Sequence, residues 1–180
     1  AGRAAAALRA AAAVRGDMEG QLRYLHVELE YARGAKRKEV LGQIGAIKEG
    51  HLSDLRGAFE AYESAFLLDP TDDALRAHYK YVANGLGAQA DAAKTMLRVA
   101  PSVKDQDARI RIGVDTGELL VAGGDLRRAK ASFASALAAS AGDTVTLLRA
   151  ARGLDTIGQA ENDPKGRVAA LEHIVTRETD

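Results

Sequence analysis

The chain has 180 residues with 25 basic and 25 acidic side chains, and this zero net charge argues against a dedicated nucleic-acid-binding protein, which is usually basic. It contains no Cys, which excludes disulfide bonds, thiolate metal ligands and a cysteine nucleophile. Alanine fills 37 positions, and together with few β-branched and aromatic residues this favours an all-helical fold.

Helical patterns alternate with short turn-forming pairs along the chain, and no segment shows the period-two alternation of a strand. The first pattern is rich in alanine, but Arg9 interrupts the apolar run that a secretory signal would need. Pro70 and Pro101 each follow an amphipathic stretch that they cannot continue as helix. Turn or cap pairs occur at Gly16-Asp17, Ser53-Asp54, Asn84-Gly85, Gly124-Asp125 and Asn162-Asp163, with further breaks at Arg33-Gly34 and Ala141-Gly142-Asp143. The predicted helices span residues 3–15, 18–33, 36–51, 54–68, 72–84, 88–99, 105–123, 126–140, 143–157 and 165–177.

The chain repeats itself at a spacing of 71 residues. The segment Asp54–Phe66 recurs as Asp125–Leu137, and each copy carries Ala, an aromatic ring and Ala at spacings of four and three. Those spacings place the three residues on one stripe of a helix. Because 71 residues are too many for one helical hairpin but fit two, we expect a double-hairpin unit copied about two and a half times.

These residues resemble the tetratricopeptide repeat. In that family the first helix of a hairpin carries Leu and Gly, the second helix opens with Gly-Asp and carries small, aromatic and small residues, and an Asp-Pro follows. One copy matches at Gly117, Leu120, Gly124, Asp125, Ala129, Phe133, Ala136 and Leu137, and a second copy at Ala58, Tyr62, Ala65, Leu68, Asp69 and Pro70. The resemblance covers most of the chain and is closest to the divergent repeats of long bacterial arrays.

The resemblance implies a right-handed α-solenoid of about ten helices, forming a single domain over residues 1–180 of what we expect to be a longer protein. Its hairpins would span approximately residues 3–33, 36–68, 72–99, 105–140 and 143–177. Small residues would let neighbouring helices approach closely, while rings fill the space between hairpins. The residues expected in this packing are Ala58, Tyr62, Ala65, Pro70, Gly117, Gly124, Ala129, Phe133 and Ala136.

The resemblance also implies a concave groove lined by the first helices of successive hairpins. Carried over by position, the expected groove residues are Gln43, Ile47, Ala74, His78, Tyr81, Arg111, Val114, Glu118 and Val121. His78 and Tyr81 are three residues apart and therefore share a helix face. An alternative for Tyr81 is packing between hairpins.

The sequence predicts no catalytic residue, no metal ligand and no cofactor. The four histidines, at positions 26, 51, 78 and 173, lack the spacing of a metal site on one helix face. The glycines at 113, 117, 123 and 124 lack the strand context and the Gly-Lys-Ser/Thr ending of a phosphate loop. The acidic residues around Pro70 are better explained as helix caps than as a calcium loop. The basic run 33–38 would suit a phosphate, an anionic membrane or an acidic partner, but a solvated turn is favoured.

The expected function is a non-catalytic interaction or scaffold module that binds a peptide or helix of another protein. The alternative is a regulatory segment of a larger multidomain enzyme or signalling protein, and an all-helical hydrolase or lipid-binding bundle is less favoured. Self-association through apolar ends is a further possibility, with Val14, Leu22 and Leu25 at one end and Val168, Leu171 and Val175 at the other. Nucleic acid and a membrane span are not expected, and the compartment stays open, with the cytoplasm favoured.

Overall fold

The computed structural model describes residues 2–139 and 143–178. These residues form ten α-helices and a short 3₁₀ turn at Ala100–Ser102, with no strand among them. The helices are α1 Gly2–Val14, α2 Met18–Tyr31, α3 Gly34–Gly50, α4 Leu55–Leu68, α5 Asp73–Leu86, α6 Gln89–Val99, α7 Gln106–Ala122, α8 Leu126–Ala138, α9 Thr144–Ala160 and α10 Pro164–Glu178. The number and order of helices agree with the sequence-based prediction. The predicted break at Ala141-Gly142 and the predicted helix end at Ser140 lie outside the described residues. No helix within those residues is long and apolar enough to cross a lipid bilayer.

The chain divides into two compact units, Ala1–Leu86 and Gly87–Asp180. In the first unit, α1 pairs with α2 and α3 pairs with α4, while α5 packs against α4. In the second unit, α7 pairs with α8 and α9 pairs with α10, while α6 packs against α7. Helix α5 belongs to the first unit and α6 to the second, and the hairpin 72–99 stays a prediction. The single-domain organisation stays a prediction.

Four helices begin with the same local structure, in which a residue with a left-handed backbone conformation is followed by an aspartate that caps the helix. The left-handed residues are Gly16, Ser53, Gly124 and Asn162, with φ of 67°, 54°, 81° and 53°. Each aspartate that follows accepts a hydrogen bond from the backbone N–H three residues later, which satisfies a donor that the first helical turn leaves open.

The predicted helix end at Asn84-Gly85 is wrong. Helix α5 continues to Leu86, and the left-handed turn falls at Gly87, with φ of 73°. Ala88 then precedes α6 without a side-chain cap. The sequence offered two glycines here, and the local pattern did not distinguish the one that reverses the chain.

An aromatic core fills the first unit around α4. The rings of Phe59 and Phe66 lie 5.1 and 5.7 Å from that of Tyr79, and Phe66 and Tyr79 are fully buried. The Tyr62 ring packs against the backbone of α3 at Gly45, where a Cβ would lie 2.6 Å from a ring carbon. The ring therefore occupies the volume that a side chain on Gly45 would need.

The second unit repeats this contact on both sides of one ring. Phe133 of α8 is fully buried, and a Cβ on Gly117 of α7 would lie 2.5 Å from its ring. A Cβ on Gly153 of α9 would lie 2.4 Å from the opposite edge of the same ring. Phe133 is thus held between two helices that lack a side chain at the contact.

The other residues expected in the packing lie as follows. Ala58, Ala65 and Ala129 have no exposed surface, and Ala136 is 4% exposed. Pro70 is half-buried in the turn between α4 and α5, and Gly124 is exposed in its left-handed turn.

Replacement of Gly117 by Ala should destabilise the protein by about 1–3 kcal/mol, because the new methyl group overlaps the Phe133 ring. Gly113→Ala is the matched control, since it changes the same helix where a Cβ would meet nothing within 4 Å. The control should be neutral or stabilising by up to about 1 kcal/mol through better helix propensity. Urea unfolding followed by circular dichroism measures both, and equal stabilities for the two variants would contradict the packing.

Candidate functional site

The exposed face of α5 in the first unit forms one wall of an open cavity of about 480 Å³. The side chain of His78 is 56% exposed and Tyr81 is 65% exposed, which is unusual for an aromatic residue. We call this cavity the aromatic cup. It is lined by Glu49, Ala74, Ala77, His78 and Tyr81.

The floor of the aromatic cup is fixed by a short polar network. The Tyr62 hydroxyl donates to Glu49 Oε2 at 2.7 Å, and His78 Nδ1 lies 3.3 Å from the same oxygen. The Tyr62 and His78 rings stack with centroids 5.4 Å apart and an interplanar angle of 21°. Burial of the ring, followed by the hydrogen bond to Glu49, raises the pKa of the Tyr62 hydroxyl well above its ordinary value. The phenol therefore keeps its proton and holds the carboxylate in place.

The structure brings three of the five groove residues predicted in this unit together, namely Ala74, His78 and Tyr81. Gln43 is half-buried on α3, where it donates to Glu39, and does not line the cup. Ile47 is only 9% exposed and belongs to a core cluster with Val40 and other apolar residues. Its side chain therefore faces the interior of the unit and presents no surface to a partner.

In the second unit, α7 and α9 enclose a comparable cavity of about 350 Å³. Arg149 donates to Asp115 at 2.6 Å and to both oxygens of Glu118 at 2.8 and 2.7 Å. Burial opposes the charge on Arg149, but the hydrogen bonds to Glu118 and Asp115 outweigh burial and raise its pKa further above the ordinary value. We call this cavity the arginine face. It is lined by Glu118, Val121, Ala122, Phe133, Arg149, Arg152, Gly153 and Thr156.

Two of the four groove residues predicted in this unit, Glu118 and Val121, line the arginine face. Arg111 is half-buried and lies outside it. Val114 has no exposed surface and is part of the interior of the unit. Five of the nine residues thus fall into one cluster on each unit, and the groove itself stays a prediction.

Sequence reasoning missed Glu49 and Arg149, the charged centres of the two cavities. The spacing could have indicated Arg149, because it lies 31 and 34 residues after its two acidic partners, which is about half of the 71-residue repeat and close to the length of one helical hairpin. Lys38 shows the same spacing to Asp69 and Asp72, which it contacts at 2.7 and 2.9 Å.

The basic run 33–38 is largely engaged within the first unit. Lys38 contacts the two aspartates, Lys36 pairs with Glu39, and Arg33 and Arg37 donate to backbone carbonyls at the end of α2. These contacts favour the solvated-turn interpretation over an anion-binding site.

No group of three or more His, Asp or Glu side chains within the described residues is arranged to hold a metal ion. The absence of a cofactor and of a catalytic residue stays a prediction from sequence.

The predicted apolar end surfaces differ in exposure. On α10, Val168, Leu171 and Val175 are 55%, 42% and 61% exposed. On the N-terminal side only Val14 is exposed, because Leu25 is buried in the core cluster and Leu22 packs against it.

Replacement of Tyr62 by Phe should cost about 1 kcal/mol at neutral pH, because it removes one hydrogen bond to Glu49 while the ring stays in place. The raised pKa of Tyr62 adds a pH dependence with a definite sign. Stability is fully present below the ordinary tyrosine pKa of about 10 and falls as pH rises above it, since only the unfolded state then ionises readily.

Urea unfolding at pH 7 and at about pH 11 tests this, and the alkaline loss should be smaller in Tyr62→Phe. Tyr24→Phe is the control, because it removes the same oxygen from a half-buried ring of α2. An alkaline loss that is equal in the wild type and in Tyr62→Phe would contradict the assignment.

Replacement of Arg149 by Met should destabilise the protein by about 2–3 kcal/mol, because it removes the guanidinium that donates to the buried Asp115 carboxylate. Arg127→Met, at an exposed position of α8, should change stability by less than about 0.5 kcal/mol. Thermal unfolding of both variants is the measurement, and a loss no larger in Arg149→Met than in the control would refute this role.

Comparison with solved structures places the fold among known proteins. No protein-family model matches the sequence, and the search of curated protein sequences gives no match. Among solved structures, a crystal structure of MamA is similar with a TM-score of 0.62 and 13% identity, over 96% of this chain and 95% of that chain. MamA from residue 41 to its end, from Desulfovibrio magneticus RS-1, has a TM-score of 0.58 and 17% identity, and the match covers 99% of this chain and 93% of that chain. The RS-1 MamA ArsTM double mutant has a TM-score of 0.61 and 15% identity, and the match covers 99% of this chain and 94% of that chain. This likeness to TPR-like helical solenoids establishes the fold and confirms the predicted class, an all-α array of antiparallel helix hairpins of tetratricopeptide type.

Proposed function

We propose that the chain is a non-catalytic interaction module that binds a peptide or helix of another protein. The observation that supports this most directly is the aromatic cup, where exposed His78 and Tyr81 stand over a carboxylate that the chain itself holds in place. Exposed tyrosine is enriched at protein interfaces because its ring buries a large area at a small cost in side-chain entropy.

The cup is organised before any partner arrives. The Tyr62 ring is fixed against Gly45 on one side and stacks with His78 on the other, so His78 does not move freely. Preorganisation of this kind favours binding because little conformational freedom is lost on association. The TPR-like fold of the chain is consistent with such a role.

The arginine face is the second surface that we assign to binding. Arg149 is held by two carboxylates, and the neighbouring Arg152 is exposed on the next turn of α9. Each unit thus offers a cavity of several hundred Å³ at the same place in the repeat, with different chemistry.

The alternative is that the same faces regulate an enzyme or signalling domain within a longer protein. In that case the segment that binds the aromatic cup belongs to the same polypeptide. The two functions share the site and differ in the source of the bound segment.

Photo-cross-linking tests the proposal at residue level. In the test variant the photoreactive residue p-benzoylphenylalanine replaces Tyr81 in the aromatic cup. In the control variant it replaces Arg56 on α4, whose side chain is 71% exposed. After irradiation in an extract of the source cells, we expect a discrete cross-linked protein from position 81 and none of that size from position 56.

Addition of His78→Ala to the position-81 variant should lower the cross-linking yield several-fold. Identification of the linked segment by mass spectrometry distinguishes a separate partner, a second copy of this chain and a segment of the same polypeptide. Identical products from positions 81 and 56, or no product from position 81, would refute the proposed site.

A further inference from the structure

Glu49 is a half-buried carboxylate, and no Lys or Arg in the described part of the chain forms an ion pair with it. Its side chain is 17% exposed, and its two contacts are with the Tyr62 hydroxyl and the His78 ring. Several other carboxylates of the first unit have a permanent cation beside them. Glu28, Glu39, Asp54 and Asp72 lie 2.6, 2.9, 3.1 and 2.9 Å from a Lys or Arg nitrogen.

The Glu49 carboxylate keeps some acceptor capacity. A carboxylate has about four lone-pair sites, and Tyr62 and His78 engage one oxygen, Oε2. Because the pKa of Tyr62 is raised, by burial first and then by Glu49, the phenol keeps its proton and donates it to this oxygen. The carboxylate therefore faces an open cavity with one oxygen left for further donors.

In the second unit, a cationic side chain occupies the position that corresponds to His78. At the repeat spacing of 71 residues, His78 corresponds to Arg149 and Tyr81 to Arg152. Arg149 reaches from α9 to two carboxylates of α7 and forms an ion pair with each of them within the chain. The first unit has His78 in that place, so its carboxylate has no guanidinium of its own.

We propose that the aromatic cup binds the cationic side chain of an Arg or Lys residue in a segment of a partner protein. This proposal rests on the function proposed above and adds the chemistry of the bound residue. The charged head pairs with Glu49, the aliphatic stem lies along Ala74 and Ala77, and the exposed Tyr81 ring offers a cation–π contact.

The other classes of side chain fit this cavity less well. An acidic residue would meet the Glu49 charge and be repelled. An apolar residue would remove water from a carboxylate without supplying a donor, which is unfavourable. A cation is thus the occupant that the charge of the cup selects.

A set of matched peptides tests the selection. A short peptide of Ala, Ser and Gln with blocked ends carries Arg, Lys, norleucine or Glu at its centre, and binding is followed by NMR shifts of the His78 and Tyr81 rings. We expect the Arg and Lys peptides to bind at least about tenfold more tightly than the norleucine peptide, with the Glu peptide weakest.

Two variants that each remove one carboxylate charge show which residue causes the preference for a cationic peptide. Glu49→Gln keeps an acceptor for Tyr62 but removes the charge, and it should abolish the preference for Arg over norleucine. Glu39→Gln removes a carboxylate that is 52% exposed on the same helix, and it should leave the preference unchanged. Circular dichroism melts confirm that both variants are folded.

Three results would overturn the proposal. Equal binding of the Arg and norleucine peptides, or no binding of any peptide, would show that the cup does not select a cationic residue. If Glu49→Gln and Glu39→Gln weakened the preference for Arg over norleucine equally, the preference would come from the total charge of α3 and not from Glu49. Arginine amide that binds as tightly as the Arg peptide would indicate a small-molecule cation site. If any of these occurs while cross-linking at position 81 still captures a partner, the inference fails and the proposed function stands.

Discussion

An aromatic ring packed directly on a helix backbone, at a glycine, is the contact on which both units depend. Tyr62 lies on Gly45 in the first unit, and Phe133 lies between Gly117 and Gly153 in the second. At these positions a single methyl group would overlap the ring, so the glycine sets how closely the two helices approach. The ring in turn fixes where the next helix presents its outer face, and the cavities on those faces follow from that spacing.

The two copies keep this contact and differ in the chemistry built on it. Glu49 and Val121 each follow the ring-contacting glycine of their helix by four residues. Glu49 accepts a hydrogen bond from Tyr62, whereas Val121 lines the same cavity as Phe133. A hydroxyl on the ring thus occurs where a carboxylate can accept from it, and a ring without a hydroxyl occurs where the neighbour is apolar. Each pair is satisfied in its own way, because a buried phenol without an acceptor would be costly.

Local features of the sequence were sufficient for the helices but not for the faces that they expose. Aspartate caps after a left-handed residue act within four residues, and they mark four of the helix starts. The orientation of Ile47 and Val114 depends on how α3 and α7 are rotated against their neighbours, and carrying the family register over by position placed both on the surface. A shift of one residue turns a side chain by about 100°, enough to move it from groove to core. Glu49 was missed because its contact with His78 joins residues 29 positions apart, on two different helices.

Different residues determine the packing of the helices and the chemistry of the cavities, and this explains how one repeat supports two different cavities. The residues that set helix spacing are the rings, which are buried, and the glycines, which are buried or half-buried, and a side chain added at these glycines would overlap a ring. His78 and Arg149 occupy corresponding positions above the rings, where a change of side chain alters charge without moving a helix. In the second unit that position places a guanidinium beside carboxylates of the chain itself, whereas in the first it places a histidine ring beside Glu49. The same frame therefore yields one face whose carboxylates pair with a cation of the chain and one face to which we assign a cation of a partner.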